Sequence, residues 1–513
     1  MTPPSLPRLL PGFLLALLLA TPALAQEVGI AQKLYENALQ LLRNGKPEEA
    51  LKGFEQIYQS YGKSPQAPDA LFQAATYLYP TTDLDDLGLV GREAIQKALP
   101  LLDRIRRSYE TSPRAPEALY RLGLMALEPE NPRASSNEAY AAFTSVANVY
   151  PDSPLVGPAL FGAAVSQVRA EAFAAAVEDF SRLFEQVPDF AVGAKARLAF
   201  GYCLFRADDF PRAMQEYQKV RELFPSRPEA QIALERLTLL HRLRLNPSTG
   251  RPVAYRQDTA FPGKLPALGM KSADSLAVDP DGNLLLGDGR SGVALKVDPS
   301  GKVTARIPLA NLQAVTAGRR GTPVLAGGGM VIVGTQQRPL VRPDASSPRP
   351  VKDLAGLAVD RDGRVLVVDA KAGEVLLFGR GLDFKAPLHR TTSGRLADVK
   401  VGFDNRVYVL DSKEKSVSVY ADGKGIARLR LDEPPASISL PLDMAVDEVG
   451  DLYLCDGAAG RVVVLDPTGK RVLATLVGDK TKGGLAEPQR VEVDRQGRLY
   501  VYDRKADAIL RFN

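Results

Sequence analysis

A small residue followed four positions later by a bulky apolar residue recurs five times in the first half of the chain. The pairs are Ala50/Phe54, Ala98/Leu102, Ala139/Phe143, Ala176/Phe180 and Ala213/Tyr217, with a second small residue upstream at Ala38, Ala75, Gly123, Ala164 and Gly201. Successive pairs are 48, 41, 37 and 37 residues apart, and the last three are followed by Pro151, Pro188 and Pro225. A period in this range indicates stacked helix pairs, none of which buries its apolar face alone. The small residues let neighbouring helices approach, and proline ends a unit because it cannot continue a helix.

The last two units align without gaps, as "RAEAFAAAVEDFSRLFEQVP" and "RADDFPRAMQEYQKVRELFP". The motif S-P-x-A-P-x-A-L-(Tyr/Phe) occurs at 64–72 and again at 112–120. This pattern resembles the tetratricopeptide (TPR) arrays of bacterial envelope-assembly proteins, over roughly residues 28–245. The resemblance implies an α-solenoid of about five helix pairs, with residues 226–245 as the polar capping helix that such an array needs.

Residues 1–25 have the features of a cleavable secretory signal. Arg8 precedes the apolar run "FLLALLLA", and Ala23-Leu24-Ala25 forms a small-x-small cleavage site before Gln26. The run is too short for a membrane span, no other stretch approaches about 18 apolar residues, and no cysteine follows the cleavage site as a lipid anchor requires. We therefore expect a periplasmic or secreted protein without a transmembrane segment, for which peripheral association with the envelope stays open.

A second type of repeat begins after the segment "NPSTGRP" at 246–252, whose proline and glycine predict a linker. It is seen in "LAVDPDGNLLLGD" at 276, "LAVDRDGRVLVVD" at 357 and "VEVDRQGRLYVYD" at 491. Each copy predicts a strand, an Asp-x-x-Gly turn and a second strand that ends in aspartate. In one copy Asn405 takes the place of the turn glycine, which is reasonable because asparagine tolerates a left-handed backbone.

Six of these units, spaced 39 to 47 residues apart, predict a six-bladed β-propeller. They are anchored at Asp279, Gly318, Asp360, Gly402, Asp447 and Asp494. The signature resembles the NHL-repeat family over roughly 253–513. Because the last unit lacks a fourth strand, we expect residues 252–261 to complete the last blade and protect its open edge. The predicted fold class is multidomain α plus all-β, with an α-solenoid at 26–245, a linker at 246–252 and a propeller at 253–513.

The sequence offers little for catalysis. A net charge of +5 with nearly balanced acidic and basic residues does not support nucleic-acid binding. Two histidines, His241 and His389, are too few for a His-pair metal site or a Ser-His-Asp triad. Cys203 and Cys455 fall in different predicted domains, and we expect both to be buried and unbridged.

The second strand of five propeller units ends in an aspartate, and such a set resembles metal ligands at first sight. The residues are Asp288, Asp369, Asp411, Asp456 and Asp503. Because they recur at one place in separate blades, we interpret them as turn caps. We therefore predict no catalytic residue, no metal and no cofactor.

An aromatic or apolar residue precedes the upstream small residue by three positions in each helix pair, at Tyr35, Phe72, Tyr120, Phe161 and Leu198. The TPR resemblance implies that these face a concave groove, with Tyr79, Tyr202 and Phe205 on neighbouring turns. Two interpretations stay open. The residues either pack between repeats, as aromatics commonly do, or form an apolar groove for a partner's extended segment or helix.

The innermost strand of each blade begins four residues before the unit's anchor, near the mouth of the propeller axis. This position holds Ser275, Asp398, Asp443 and Arg490 in the first, fourth, fifth and sixth units. Ala314 and Gly356 occupy it in the second and third. The polar residues form either a salt-bridged plug or a polar pocket for a ligand or a partner's charged side chain.

These features favour an exported, non-catalytic protein–protein interaction scaffold of the bacterial cell envelope or periplasm. Its partners would be other envelope or periplasmic proteins or peptides, bound through the TPR groove and the propeller face. The alternative is an enzyme, namely a propeller hydrolase or lyase with a carboxylate and metal site at the axis mouth and a TPR array for recruitment.

Overall fold

A computed structural model describes residues 12–190, 192–245, 255–318, 320–342, 349–351, 353–478 and 485–513. The chain divides into two units, Met1–Asp209 and Phe210–Asn513. The predicted linker at 246–252 lies outside the described residues, and the predicted domain boundary at residue 245 stays a prediction.

Helices occupy the N-terminal half, as the repeat pattern predicts. They are α1 (Gly12–Arg43), α2 (Pro47–Ser60), α3 (Gln66–Leu78), α4 (Arg92–Ser108), α5 (Ala115–Ala126), α6 (Ser136–Val149), α7 (Val156–Arg169), α8 (Phe173–Gln186), α9 (Gly193–Arg206), α10 (Phe210–Leu223) and α11 (Pro228–Leu240). A 3-10 turn, Leu84–Asp86, lies between α3 and α4, and a π-helical turn, His241–Leu245, follows α11. Among the described residues, no helix is long and apolar enough to cross a membrane.

The predicted bulky residues form the interior of the helix pairs. Phe54, Leu102, Phe143, Phe180 and Tyr217 are all fully buried. Phe143 on α6 lies in a slot between two glycines: a Cβ added to Gly123 on α5 would lie 2.6 Å from its ring, and one added to Gly162 on α7 would lie 2.8 Å away. Real Cβ atoms do not approach a ring so closely, so the absence of side chains at 123 and 162 makes room for Phe143.

We predict that Gly123→Ala destabilises the protein by about 1–3 kcal/mol, because the new methyl group overlaps the Phe143 ring. In an open helix position the same change is favourable, since alanine is the better helix former. Gly29→Ala on α1, where an added Cβ meets nothing within 4 Å, is therefore the control and should not destabilise. Urea unfolding of both variants measures the difference, and equal stabilities would contradict the slot.

The C-terminal half forms six four-stranded antiparallel sheets, which confirms the six-bladed propeller. Before the ring come β1 (Gln257–Asp258) and a short helix, α12 (Leu265–Leu268). Blade 1 has β2 (Ser275–Val278), β3 (Leu284–Asp288), β4 (Val293–Val297) and β5 (Val303–Pro308). Blade 2 has β6 (Leu312–Ala317), β7 (Pro323–Gly327), β8 (Met330–Val333) and β9 (Gln336–Pro339), followed by the hairpin β10 (Val341–Arg342) and β11 (Arg349–Pro350).

The remaining blades repeat this order. Blade 3 has β12 (Leu354–Val359), β13 (Val365–Asp369), β14 (Glu374–Phe378) and β15 (Phe384–Arg390). Blade 4 has β16 (Leu396–Val401), β17 (Val407–Asp411), β18 (Ser416–Ala421) and β19 (Lys424–Arg430). Blade 5 has β20 (Pro441–Val446), β21 (Leu452–Asp456), β22 (Arg461–Leu465) and β23 (Val472–Val477). Blade 6 has β24 (Pro488–Val493), β25 (Leu499–Asp503) and β26 (Ala508–Phe512), with β1 as its fourth strand.

Blades 1, 3, 5 and 6 turn twice on aspartate, whereas blade 2 has Gly318 and Gly327 at these two positions. In the first turn, between its first two strands, Asp279 Oδ1 accepts hydrogen bonds from the amides of Asp281 and Asn283, and Asp494 repeats this arrangement in blade 6. Asn405 has a φ of 66°, as expected for a substitute of the turn glycine. We call the side of the ring that carries these turns the first-turn face, and the side that carries the turns after the second strands the second-turn face.

The ring closes through β1, as the sequence predicts. Arg256 N donates to Asn513 O at 3.0 Å, and Asn513 N donates to Arg256 O at 2.8 Å. Gln257 and Asp258 pair in antiparallel register with Phe512 and Arg511. The seam continues to Gly263, where Ile509 N donates to the carbonyl oxygen at 2.8 Å and an added Cβ would lie 1.9 Å from Ile509 O, so only glycine fits.

We predict that Arg256→Pro lowers the free energy of unfolding by about 1–3 kcal/mol, because proline removes an amide that bonds the last blade. In an antiparallel strand the next amide points away from the neighbouring strand. Gln257→Pro is thus the matched control, with a smaller effect. Chemical denaturation of the full chain compares the two, and an equal loss would show that closure does not depend on the backbone ladder.

Within the second unit, α11 and the π-helical turn pack on the first-turn face. Arg244 forms a two-pronged ion pair with the fully buried Asp451, at 2.7 and 2.6 Å. The Arg236 guanidinium lies 4.4 Å from the centre of the Phe403 ring, and a Cβ added to Gly497 would lie 2.7 Å from Leu239. The turns of blades 4, 5 and 6 therefore carry the last helix of the chain's N-terminal half.

Candidate interaction surfaces

The residues that the sequence places on the inner side of the helix pairs are mostly buried. Phe72, Tyr79, Tyr120, Tyr202 and Phe205 are buried, whereas Tyr35, Phe161 and Leu198 are half-buried. Three of the rings pack on the bulky residue of their own helix pair, with centroid distances of 5.8 Å for Tyr35–Phe54, 5.5 Å for Tyr120–Phe143 and 6.2 Å for Phe161–Phe180. The first helices thus use these rings for packing, and only the half-buried residues keep surface for a partner.

The surface over Phe72 is charged. The guanidinium carbons of Arg114 and Arg121 lie 5.0 and 5.3 Å from the Phe72 ring centre. Arg114 donates to Asp69 at 2.6 Å and to Glu117 at 3.0 Å, which keeps it positioned. The sequence-based prediction of an apolar groove included neither arginine. Arg114 occupies the variable position of the S-P-x-A-P motif, where the other copy has Gln66, so the repeat carries no signal for it.

A buried hydrogen-bonded pair closes the end of α3. Tyr79 donates from its hydroxyl to Glu128 Oε1 at 2.8 Å, and Glu128 Oε2 accepts from the Gly88 amide at 2.7 Å. Burial raises the pKa of Tyr79, and the negative charge of Glu128 adds to the effect. Tyr79 therefore stays protonated and acts here as a fixed donor.

Three of the four polar residues at the propeller axis link neighbouring blades. Ser275 Oγ accepts from the Val315 amide of blade 2 at 3.0 Å, and Asp443 Oδ2 accepts from the Val491 amide of blade 6 at 2.8 Å. Arg490 donates from Nε to the Asp274 carbonyl at 2.7 Å. These three residues therefore join blades 1 and 2, blades 5 and 6, and blades 6 and 1.

Asp398 belongs to a charged cluster in the channel that also contains two residues the sequence-based prediction missed. Lys400 Nζ lies 2.7 Å from Glu492 Oε2 and 3.7 Å from Asp398 Oδ2. Asp398 Oδ1 accepts from the Val399 amide, while Oδ2 has no hydrogen bond within the described residues. Lys400 and Glu492 each follow a predicted mouth residue by two positions, and in a strand that spacing places them on the same side. The alternation of the strands was thus the missed signal.

Burial and charge set the protonation of this cluster. Burial raises the pKa of Asp398 well above its usual value; Lys400 opposes this effect, and Asp443 adds to it. Burial also raises the pKa of Glu492, against the opposing charge of Lys400. Burial alone would lower the pKa of Lys400, but the charges of Asp398 and Glu492 outweigh it and raise the value. One ammonium therefore faces more carboxyl groups than it can neutralise, which favours the protonated form of Asp398 more than in an exposed aspartate.

The repeated aspartates after the second strands are turn caps, as predicted. Asp288 accepts from the amides of Lys271, Arg290 and Ser291 at 2.7 to 3.0 Å. Asp503 likewise accepts from the amides of Ala486, Glu487 and Ala506. The corresponding bonds in the other blades are made by Asp369, Asp411 and Asp456. On the second-turn face Asp288, Asp411, Asp456 and Asp503 also tie their turns to a neighbouring loop.

The other predicted residues lie apart from this cluster. His389 Nδ1 lies 2.6 Å from the Tyr420 hydroxyl, and burial lowers the pKa of His389. His241 is exposed. Cys203 and Cys455 are buried and free. Across the described ranges, no three His, Cys, Asp or Glu side chains come together as metal ligands would.

A cavity of about 570 Å³ opens on the second-turn face. It is lined by Gly289, Asn311, Leu312, Gln313 and Gly328, which belong to blades 1 and 2 and the connection between them. The Oε1 atom of Gln313 is buried and has no hydrogen-bond partner within the described residues. A buried acceptor of this kind is satisfied when a ligand or partner supplies a donor.

Comparison with known proteins supports the helical repeat. Residues 161–228 match the family model of the tetratricopeptide repeat. The match runs from α7 through α10, so the chain contains a TPR segment within its helical array, followed by a six-bladed propeller. None of the curated proteins compared with the chain matches it.

Several solved structures are similar to about half of the chain. Virginiamycin B lyase from Staphylococcus aureus is 10% identical with a TM-score of 0.36, covering 50% of this chain and 99% of that one. A gluconolactonase from Xanthomonas campestris is 16% identical with a TM-score of 0.36, covering 46% and 84%. The Cps50 (Swd1) β-propeller domain from Myceliophteria thermophila is 10% identical with a TM-score of 0.36, covering 47% and 82%. At these identities no activity is transferred to this chain.

We predict that Asp398→Asn stabilises the protein relative to the wild type, by an amount that grows as the pH rises above the unfolded pKa of aspartate, about 3.9, towards the raised folded pKa. A carboxyl group whose pKa is raised by folding contributes its full stability only below its unfolded pKa, and loses it as the pH rises through the folded pKa. Asparagine resembles the protonated carboxyl group and has no such loss. The difference should grow by up to about 1.4 kcal/mol per pH unit, as measured by urea unfolding at a series of pH values.

Asp298→Asn is the control for this series, because the pKa of Asp298 is shifted in the opposite direction. The Ser300 hydroxyl and the Lys302 amide lower the pKa of Asp298, so its contribution is present above the unfolded pKa and disappears as the pH falls. This variant should therefore be the less stable one at neutral pH and approach the wild type in acid. A constant difference for Asp398→Asn at every pH would mean that Asp398 is ionised in the folded protein.

Proposed function

We propose that this protein is an exported, non-catalytic scaffold that holds envelope or periplasmic proteins together. The observation that carries the proposal is the presence in one chain of a TPR segment and a complete six-bladed propeller. Both are repeat architectures that present broad surfaces, and neither depends on a catalytic constellation to be useful. The proposed export rests on the signal-like residues 1–25.

The proposed partner surface of the propeller is its second-turn face. On the opposite side, α11 already covers the turns of blades 4 to 6 through Arg236, Leu239 and Arg244. The second-turn face carries the cavity at Gln313 and the ends of the first strands that begin near Asp443 and Arg490. The cavity and the polar residues Asp443 and Arg490 therefore lie on the same side of the ring, and α11 does not cover that side within the second unit.

The proposed partner surface of the helical array is the side on which the first helices keep Tyr35, Phe161 and Leu198 half-buried. Such partly exposed apolar groups beside charged residues suit a peptide segment that has both apolar and charged side chains.

A capture experiment tests this proposal. The mature protein, which begins at Gln26, is purified from the periplasm and cross-linked to periplasmic proteins of its host. We expect Leu198→Glu to reduce capture of the specific partner at least tenfold at a temperature at which the variant is fully folded, because the new charge opposes apolar contact. Val149→Glu is the matched control, since Val149 is 62% exposed on a second helix.

Equal capture by the wild type and Leu198→Glu would remove this side of the array from the proposal. Recovery of the protein from the cytoplasm with residues 1–25 intact would contradict the proposed export. A catalytic turnover that depends on Asp443 would favour the enzyme alternative.

A further inference from the structure

An acidic, leucine-bearing insertion connects α3 and α4. Its sequence from 80 to 91, "PTTDLDDLGLVG", contains three aspartates and three leucines and includes the 3-10 turn. Its ends are well anchored. Arg121 donates to the Tyr79 and Thr81 carbonyls at 2.8 and 3.0 Å, and Glu128 accepts from the Gly88 amide. Leu84 and Leu87 pack against the core cluster of α3 to α7.

The middle of the insertion reaches a distant helix of the same unit. Asp85 forms an ion pair with Lys195 on α9, 110 residues away in sequence. Asp85 follows Tyr79 by six positions, and an extended chain of that length spans at most about 20 Å. The end of α3 and α9 therefore lie close enough for a short segment to join them. Since pairs three and four stand between them in the chain, the insertion runs past α5 and α7.

The surface that the insertion meets is the one formed by the first helices. Lys195 precedes its small residue, Gly201, by six positions, and the equivalent positions in the second and third pairs hold Asp69 and Glu117. Those two carboxylates hold Arg114. In the fifth pair the equivalent position is basic, and its carboxylate partner is supplied by the insertion. Asp83 lies near α5 as well: burial raises the pKa of Tyr120 to about 12, and the charge of Asp83 adds to this.

The charged contact in the middle of the insertion is open to water. The side chains of Asp85 and Lys195 are 68% and 44% exposed, and an ion pair this open adds little stability. Leu84 and Leu87 are half-buried against the core cluster, and Leu89, next to the Gly88 anchor, is 62% exposed. A competing segment that offers carboxylates and buries leucines more fully would replace these contacts without disturbing the anchors at Arg121 and Glu128.

We propose that the first-helix surface from α5 to α9 is a binding site for an extended acidic segment that carries leucines, and that residues 80–91 occupy this site within the same chain. A partner protein binds by presenting a segment of the same chemistry and displacing the middle of the insertion. This deepens the proposed scaffold function, but the site itself is tested without any partner.

The test uses a fluorescent synthetic peptide of residues 80–91 and measures its binding to the full-length protein by anisotropy. Two variants open the site: Asp85→Lys, which repels Lys195, and replacement of residues 82–89 by a Gly-Ser segment of equal length. We expect the peptide to bind each opened variant at least tenfold more tightly than the wild type. Adding Lys195→Glu to the Gly-Ser variant should reverse the gain, and a peptide with lysine in place of Asp85 should then restore binding.

A peptide with asparagine at 83, 85 and 86 is the control for charge and should bind at least tenfold more weakly. If the Gly-Ser variant does not melt cooperatively, Asp85→Lys decides the question, because it changes only an exposed side chain. Equal affinity for the wild type and the opened variants, or no binding to Asp85→Lys, would overturn the proposal. Peptide binding combined with a failure of the capture experiment would uphold the site and remove the scaffold function.

Discussion

The propeller depends on the pairing of β1 with β26. Gln257 and Asp258 precede the first blade in sequence but form the fourth strand of the last blade. The ring is therefore held closed by hydrogen bonds between segments about 250 residues apart. The bonds at Arg256 and Gly263 extend this seam on both sides. Non-local pairing of this kind forms only after the intervening chain is ordered, because the entropy of closing so long a loop opposes it earlier. The closed ring is therefore the unit that folds cooperatively, and the last blade is complete only when β1 has paired with β26.

Two aspartates in this ring, Asp288 and Asp398, have pKa values that are shifted in opposite directions. Asp288 is buried, and burial alone would raise its pKa, but amide and hydroxyl donors around the turn lower it overall. Asp398 is also buried, but it accepts one amide hydrogen bond and faces other carboxyl groups, so its pKa rises. The number of donors around each carboxylate decides between the two outcomes. The donors around Asp288 therefore favour its charged form, whereas burial favours the protonated form of Asp398.

Much of the architecture follows from the sequence because it repeats. The small and bulky pairs such as Ala139 and Phe143 predict the helix pairs, and the Asp-x-x-Gly turns predict six blades with the closing strand. The burial of Phe72 and Tyr120 was harder to anticipate, since a helix period shows which residues share a side but not what covers that side. The arginines over Phe72 provide that cover.

Contacts that occur only once lie beyond such prediction. Lys400 and Glu492 share the strand alternation of Asp398 and Arg490, but only the folded ring shows that they meet at 2.7 Å. The pairing of Asp85 with Lys195 joins an insertion to a helix three pairs later, and no periodicity links them. The docking of Arg244 on Asp451 likewise joins two different kinds of repeat. A repeat pattern predicts what recurs, whereas function can depend on the exceptions.

The slot around Phe143 has a consequence for the evolution of this protein. Gly123, Phe143 and Gly162 share one volume across three helices, so a larger residue at either glycine is tolerated only with a smaller one at 143. Such positions are inherited together. In an alignment of relatives they should therefore vary as a group, with the summed side-chain volume of the three nearly constant while each residue changes.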